Sequence, residues 1–162
     1  MQKITTFLWF DNQAEEAMNF YVSIFRDSKV LDVSRYGEAG HEVHGRPAGS
    51  AMTCTFELAG QKFIALNGGP MYKFTEAISM FVECEGQEEV DYFWNKLSEG
   101  GDPNAQQCGW LKDKYGLSWQ VVPKALGQLM DDSNPERSGR VMEAMLKMKK
   151  IDVAALQRAH GQ

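Results

Sequence analysis

From Ile4 to Phe10 the chain runs Ile-Thr-Thr-Phe-Leu-Trp-Phe, β-branched and aromatic residues that suit a pleated surface, and this run predicts a strand. Asp11-Asn12-Gln13-Ala14-Glu15-Glu16 follows. In it Asn12 is placed as an N-cap, with Glu15 three residues later to complete a capping-box-like pair and to favour the positive end of a helix. Ala14, Ala17, Met18, Tyr21, Val22 and Phe25 then recur at spacings of three, four and seven, the stripe of an amphipathic helix. Strand-like runs at 29–36, 50–58 and 61–67 complete a β-α-β-β-β unit.

The same grammar returns after residue 77. Ile78-Ser79-Met80-Phe81-Val82-Glu83-Cys84 predicts a strand, and Val90, Phe93, Trp94 and Leu97 form the stripe of a second helix that stops at Gly100-Gly101. Runs near 104–108, 110–114 and 117–122 are the matching strands. Phe20-Tyr21 aligns with Phe93-Trp94, Glu15-Glu16 with Glu88-Glu89, and the hairpin residues Gly60 and Phe63 with Gly116 and Trp119. The expected fold class is α+β: two such modules, about 1–75 and about 76–124, whose curved mixed sheets enclose a cleft. Together they form a domain over 1–134. Val141, Met142, Met145, Leu146 and Met148 predict an amphipathic helix within a tail, 135–162, that packs on the body or on a second subunit.

Composition narrows the function. The net charge of −5 argues against nucleic acid, whose binding rests on lysine and arginine neutralising phosphates. The tail carries six cations against three anions, a net of +3, which leaves −8 for residues 1–134; it suits an acidic protein surface. No apolar run has the length of a membrane span and no signal-peptide layout opens the chain, so a cytoplasmic location is expected. Cys54, Cys84 and Cys108 lack metal-site spacing, and the first two lie in strands as buried thiols. His41 and His44, in a glycine-rich stretch, read as a mobile surface loop. No nucleophile elbow, P-loop or H-E-x-x-H occurs.

Asp11 to Phe25, Asn67-Gly68-Gly69-Pro70, the run Gly109-Trp110-Leu111-Lys112-Asp113-Lys114-Tyr115-Gly116-Leu117-Ser118-Trp119-Gln120-Val121-Val122-Pro123 and the ending Arg140 to Asp152 resemble the PhnB-like family of the vicinal-oxygen-chelate (glyoxalase/bleomycin-resistance) superfamily. The resemblance covers nearly the whole chain and implies paired β-α-β-β-β modules and a homodimer. Its members often carry the label 3-demethylubiquinone-9 3-methyltransferase. A typical S-adenosylmethionine site uses a glycine-rich strand-to-helix turn, and none of the 15 glycines here stands two residues from another.

In metal-dependent relatives the ligands are His, Glu or Gln on the first and last strands of each module. Alignment on the helix aromatic pair carries the first-strand positions to Thr6 and Ser79, and alignment on the hairpin glycines carries the last-strand positions to Ile64 and Gln120. Two hydroxyls, an isoleucine and one amide are a poor set for a hard divalent cation, so no metal and no cofactor are expected. Gln120 keeps a donor and an acceptor with which to orient a ligand, or to meet water. Glu83 shares the parity of Ser79 and Phe81, hence the cleft side, where it becomes a base if burial raises its pKa, or else it stands as an exposed edge residue, the reading favoured here. Trp9, Phe63 and Trp119 are expected under the helices, whereas Tyr72, Phe74 and Trp110 fall in or beside connections where they roof the cleft or pack in the core. The expected partners are a small-molecule ligand and a second copy of the chain. The competing functions are a metal-dependent isomerase, dioxygenase or transferase, and a methyltransferase.

Overall fold

The structure, a computed structural model, describes residues 3–161. The chain divides into two compact units, Met1–Phe74 and Thr75–Gln162. The first holds β1 (Thr6–Phe10), α1 (Ala14–Ile24), β2 (Lys29–Arg35), a single helical turn α2 (His41–His44), β3 (Ala51–Leu58) and β4 (Gln61–Asn67). Its sheet has the order β1-β4-β3-β2, with β1 and β4 parallel and the other pairs antiparallel. Successive side chains alternate between faces. Leu8, Phe10, Cys54, Phe56, Phe63 and Ala65 thus meet the buried stripe Ala14, Ala17, Met18, Tyr21 and Ile24 of α1.

The start of α1 departs from the sequence reading. The helix begins at Ala14, its N-cap is Gln13, and neither Gln13 nor Asn12 closes it with a side chain. The Ala14 N–H donates instead to Asn67 Oδ1 at 2.8 Å, while Asn67 Nδ2 donates to the Ala51 carbonyl at 3.1 Å. A buried side chain at the end of β4 therefore satisfies one of the helix's orphan donors, and local sequence cannot show a cap delivered from 53 residues away.

The second unit holds β5 (Met80–Cys84), α3 (Gln87–Ser98), a 3-10 turn (Pro103–Ala105), β6 (Trp110–Lys112), β7 (Ser118–Pro123), α4 (Lys124–Met130), α5 (Pro135–Leu146) and α6 (Val153–Gly161). Its sheet order, β5-β7-β6, repeats β1-β4-β3 with the same parallel and antiparallel pairing. The fourth strand expected near 104–108 is missing. Pro103 lacks an N–H for a ladder, Asp102 accepts from Asn104 N, and only an isolated bridge, Gln107 to Trp110, remains. Val90, Trp94 and Leu97 of α3 are buried, as their spacing predicts. The matched hairpin glycines both stand in the left-handed region, Gly60 at φ +82° and Gly116 at φ +89°, which side chains with a Cβ seldom adopt.

The C-terminal helices pack within this unit. Val141, Ile151 and Leu156 are fully buried, with Leu126, Leu129, Met130, Met145 and Met148 around them. The backbone N–H groups of Cys108 and Gly109 donate to the carbonyls of Met148 and Lys149. Gln87, the first residue of α3, donates to the Ile151 carbonyl and accepts from Val153 N. Among the described residues no helix is long and apolar enough to cross a membrane.

Candidate functional site

In the second unit α3 covers one face of the sheet, the side of Cys84, Leu111, Trp119 and Val121, all buried. The register pairs Phe81 with Gln120 and Trp110 with Gln120. Ser79, Phe81, Glu83, Trp110 and Gln120 consequently share the opposite, open face. Gln120 Nε2 donates to Ser79 Oγ at 3.0 Å, so two residues 41 apart that sequence alignment selects independently are in contact. Phe81 remains 57% exposed. Glu83 is exposed as well, which removes the burial its role as a base requires.

The first unit corrects two expectations. Ile64 is opposite Phe7, while Thr6 is opposite Phe63. Thr6 thus takes the parity of Leu8 and Phe10, on the side of α1, and the open-face neighbour of Ile64 is Phe7, 54% exposed. Trp9 also lies on the open side rather than under the helix. Its indole donates to the Gly69 carbonyl at 2.9 Å, and Tyr72 meets it edge-on with ring centroids 4.9 Å apart. A Cβ on Gly68 would stand 2.4 Å from the Trp9 ring, so the indole requires glycine there. Phe74 turns elsewhere, packing edge-on against buried Phe10 with centroids 5.2 Å apart. Tyr72, Trp9, Phe7 and Ile64 therefore belong to the open side of the first sheet, and Phe74 and Thr6 do not.

These donors do not suit a divalent metal. Phe7 and Ile64 offer none, which leaves one hydroxyl and one amide, joined by a hydrogen bond, as too poor a set for a hard cation. Residues 41–44 form a helical turn rather than an irregular loop: the His44 ring lies 4.5 Å from that of Tyr36 and its Nδ1 accepts from Arg46 N. Among the described residues no three His, Cys, Asp or Glu side chains group to hold an ion. Burial pushes the Cys54 thiol up to about 11 and the Cys84 thiol to about 12, so both are protonated and unreactive near neutrality.

Three features of the second unit escape the sequence reading. Asp113, 2% exposed, accepts from the N–H groups of Tyr115 and Leu117 through Oδ1 and from the Trp119 indole through Oδ2. It thereby fixes the β6–β7 turn. An aspartate three residues before a turn glycine is the available signal. Lys112 Nζ pairs with Glu76 Oε2 at 2.8 Å, and Ser118 is buried opposite Lys112 on the open-face side.

Residues 2–122 match the family described as 3-demethylubiquinone-9 3-methyltransferase. Among solved structures, the PhnB protein of Bacillus cereus is 42% identical over 75% of this chain and 99% of its own, with a TM-score of 0.64. Protein PA1353 of Pseudomonas aeruginosa, 17% identical over 76% of this chain and 98% of its own, shares the fold at a TM-score of 0.58. A glyoxylase/bleomycin resistance protein/dioxygenase domain from Frankia sp. EAN1pec also matches, at 14% identity over 76% of this chain and 92% of its own, with a TM-score of 0.47. A comparison with curated proteins gives no match.

Proposed function

The chain belongs to the family described as 3-demethylubiquinone-9 3-methyltransferase, the PhnB-like branch of the vicinal-oxygen-chelate superfamily, and from that membership we propose a metal-free small-molecule-binding protein whose ligand lies on the open face of the second sheet. The observation that carries this reading is the Ser79–Gln120 contact. It leaves a hydroxyl and an amide able to orient a polar group, with Phe81 and Trp110 beside them on the same face to take an apolar one. Binding of this kind needs no nucleophile and no Lewis acid.

The methyl transfer in the family description finds little support in the strand-to-helix turns. Asp11-Asn12-Gln13 contains no glycine and Glu85-Gly86 has one, whereas close approach of backbone to a nucleotide-like cofactor uses several.

Native mass spectrometry of protein purified from its source tests the proposal. The expected result is a non-covalent adduct on the chain, diminished in Gln120→Ala, with no stoichiometric metal by elemental analysis. One equivalent of zinc, nickel or manganese, retained on dialysis and lost in Gln120→Ala, would refute it.

The same reading includes the pairing of two copies that the resemblance implies. Met142 and Leu146 on α5 are exposed beside a buried Val141, and each sheet ends in edge strands, β1 and β2 in the first and β5 and β6 in the second, of the kind a second copy can cover.

A further inference from the structure

A hollow of about 420 Å³ lies within the second unit, with Trp110, Leu111, Lys112, Glu76, Gln107 and Ser118 among its lining residues. Its size suits a small organic molecule. Ser118 is 1% exposed, and among the described residues its hydroxyl is the buried side-chain group with no hydrogen-bond partner. The other two buried polar side chains among the described residues are satisfied, Asn67 with two partners and Asp113 with at least three. Burying a hydroxyl without a partner is unfavourable, and one kept in that condition at the wall of a hollow points to a group brought in from outside.

Lys112 shows what that group is. It faces Ser118 across the β6–β7 ladder, and its ammonium already holds a carboxylate, that of Glu76 at 2.8 Å. Glu76 is largely exposed, and an exposed ion pair is weak enough to exchange. The Lys112 hydrogen bond holds the Glu76 carboxyl below its usual range, so near neutrality one carboxylate replaces another with no proton to move. A single ammonium matches a monoanion; a phosphate dianion would keep unpaired charge here, with no arginine lining the hollow.

We propose that the hollow binds a small organic monocarboxylate with a planar apolar body, its oxygens taken by the Lys112 ammonium and the Ser118 hydroxyl in place of Glu76, its body laid against Trp110. This rests on the reading of the open face as a ligand site and gives that ligand its chemistry.

Phenylacetate and its neutral counterpart phenylacetamide, titrated into the full-length isotope-labelled protein, test the inference through the indole N–H signal of Trp110, identified with Trp110→Phe. Phenylacetate is expected to shift that signal and to bind at least about tenfold more tightly than the amide. Glu76→Gln should tighten phenylacetate binding by about threefold or more, because Lys112 is freed, and Lys112→Met should abolish the preference for the acid. Ser118→Ala should weaken the acid without lowering the thermal midpoint, which a structurally required hydroxyl would not allow. Equal affinity for acid and amide, with Trp110 shifting for both, would overturn the carboxylate assignment and leave the ligand face standing. No shift at Ser79, Trp110 or Gln120 with either probe overturns the inference, and a native mass spectrum without an adduct then removes the broader reading too.

Discussion

The Trp119 indole donates to Asp113 Oδ2 at 2.9 Å, joining a buried carboxylate in the β6–β7 turn to the strand that carries Gln120. Asp113→Ala strands this donor and the Tyr115 and Leu117 N–H groups. The expected loss is about 3 kcal/mol or more in urea unfolding. A loss below about 1 kcal/mol would show that the turn holds without its carboxylate.

Asn67 offers a parallel test in the first unit. Asn67→Ala removes the acceptor for Ala14 N and the donor to Ala51 O, an expected cost of about 2 kcal/mol. Asn12→Ala should cost well under half as much, since Asn12 does not cap the helix. Equal costs for the two variants would restore Asn12 as the cap.

Gly68→Ala pushes a methyl into the Trp9 ring, and overpacking of this kind costs about 1–3 kcal/mol. Trp9→Phe should recover part of that loss when combined with it, so the pair is non-additive in a double-mutant cycle. Strict additivity would mean that the glycine is needed for another reason.

The face assigned to each residue shows where the sequence stops being informative. The helix stripes are legible because a 3.6-residue period is local, and Ile64, Ser79 and Gln120 lie on the open side of their sheets. Thr6 fails for one countable reason. Three residues, 11–13, separate β1 from α1, but only 85 and 86 separate β5 from α3. Alignment on the helices therefore slips by one on the strands, and one residue of slip turns a side chain to the other face. The true counterpart of Phe7 is Phe81, and both are exposed. The Asn67 cap, the Ser118 hydroxyl and the Lys112–Glu76 pair depend on long-range contacts, which no periodicity encodes.

Asp132 accepts from the Asn134 N–H and from His160 Nε2, and these two bonds, the backbone one foremost, hold its carboxyl below the usual aspartate range. A carboxyl depressed on folding contributes stability above its unfolded pKa and loses it as the pH falls through the folded value. Asp132→Asn should therefore lower the denaturation midpoint at about pH 7, and the gap from the parent protein should narrow as the pH falls below the usual aspartate range. A gap independent of pH would assign the effect to shape rather than charge.

Pairing through α5 predicts that Met142→Lys with Leu146→Lys shifts the protein toward monomer in sedimentation while the urea midpoint of the second unit is kept, since both side chains are exposed. An unchanged sedimentation coefficient, or a parent protein that is monomeric at micromolar concentration, would place the pairing elsewhere or remove it.

The way Gln87 and the Val141–Ile151–Leu156 core join distant parts of the second unit sets an order of events during synthesis. The first unit has every strand of its sheet and its helix by residue 67, so it can fold while the remainder is still being made. The second cannot complete its core until residue 156 has left the ribosome. Until then the apolar side chains that α6 will cover are open to other chains and to chaperones, and a chain stopped before residue 156 would carry a complete first sheet joined to an unfinished second unit.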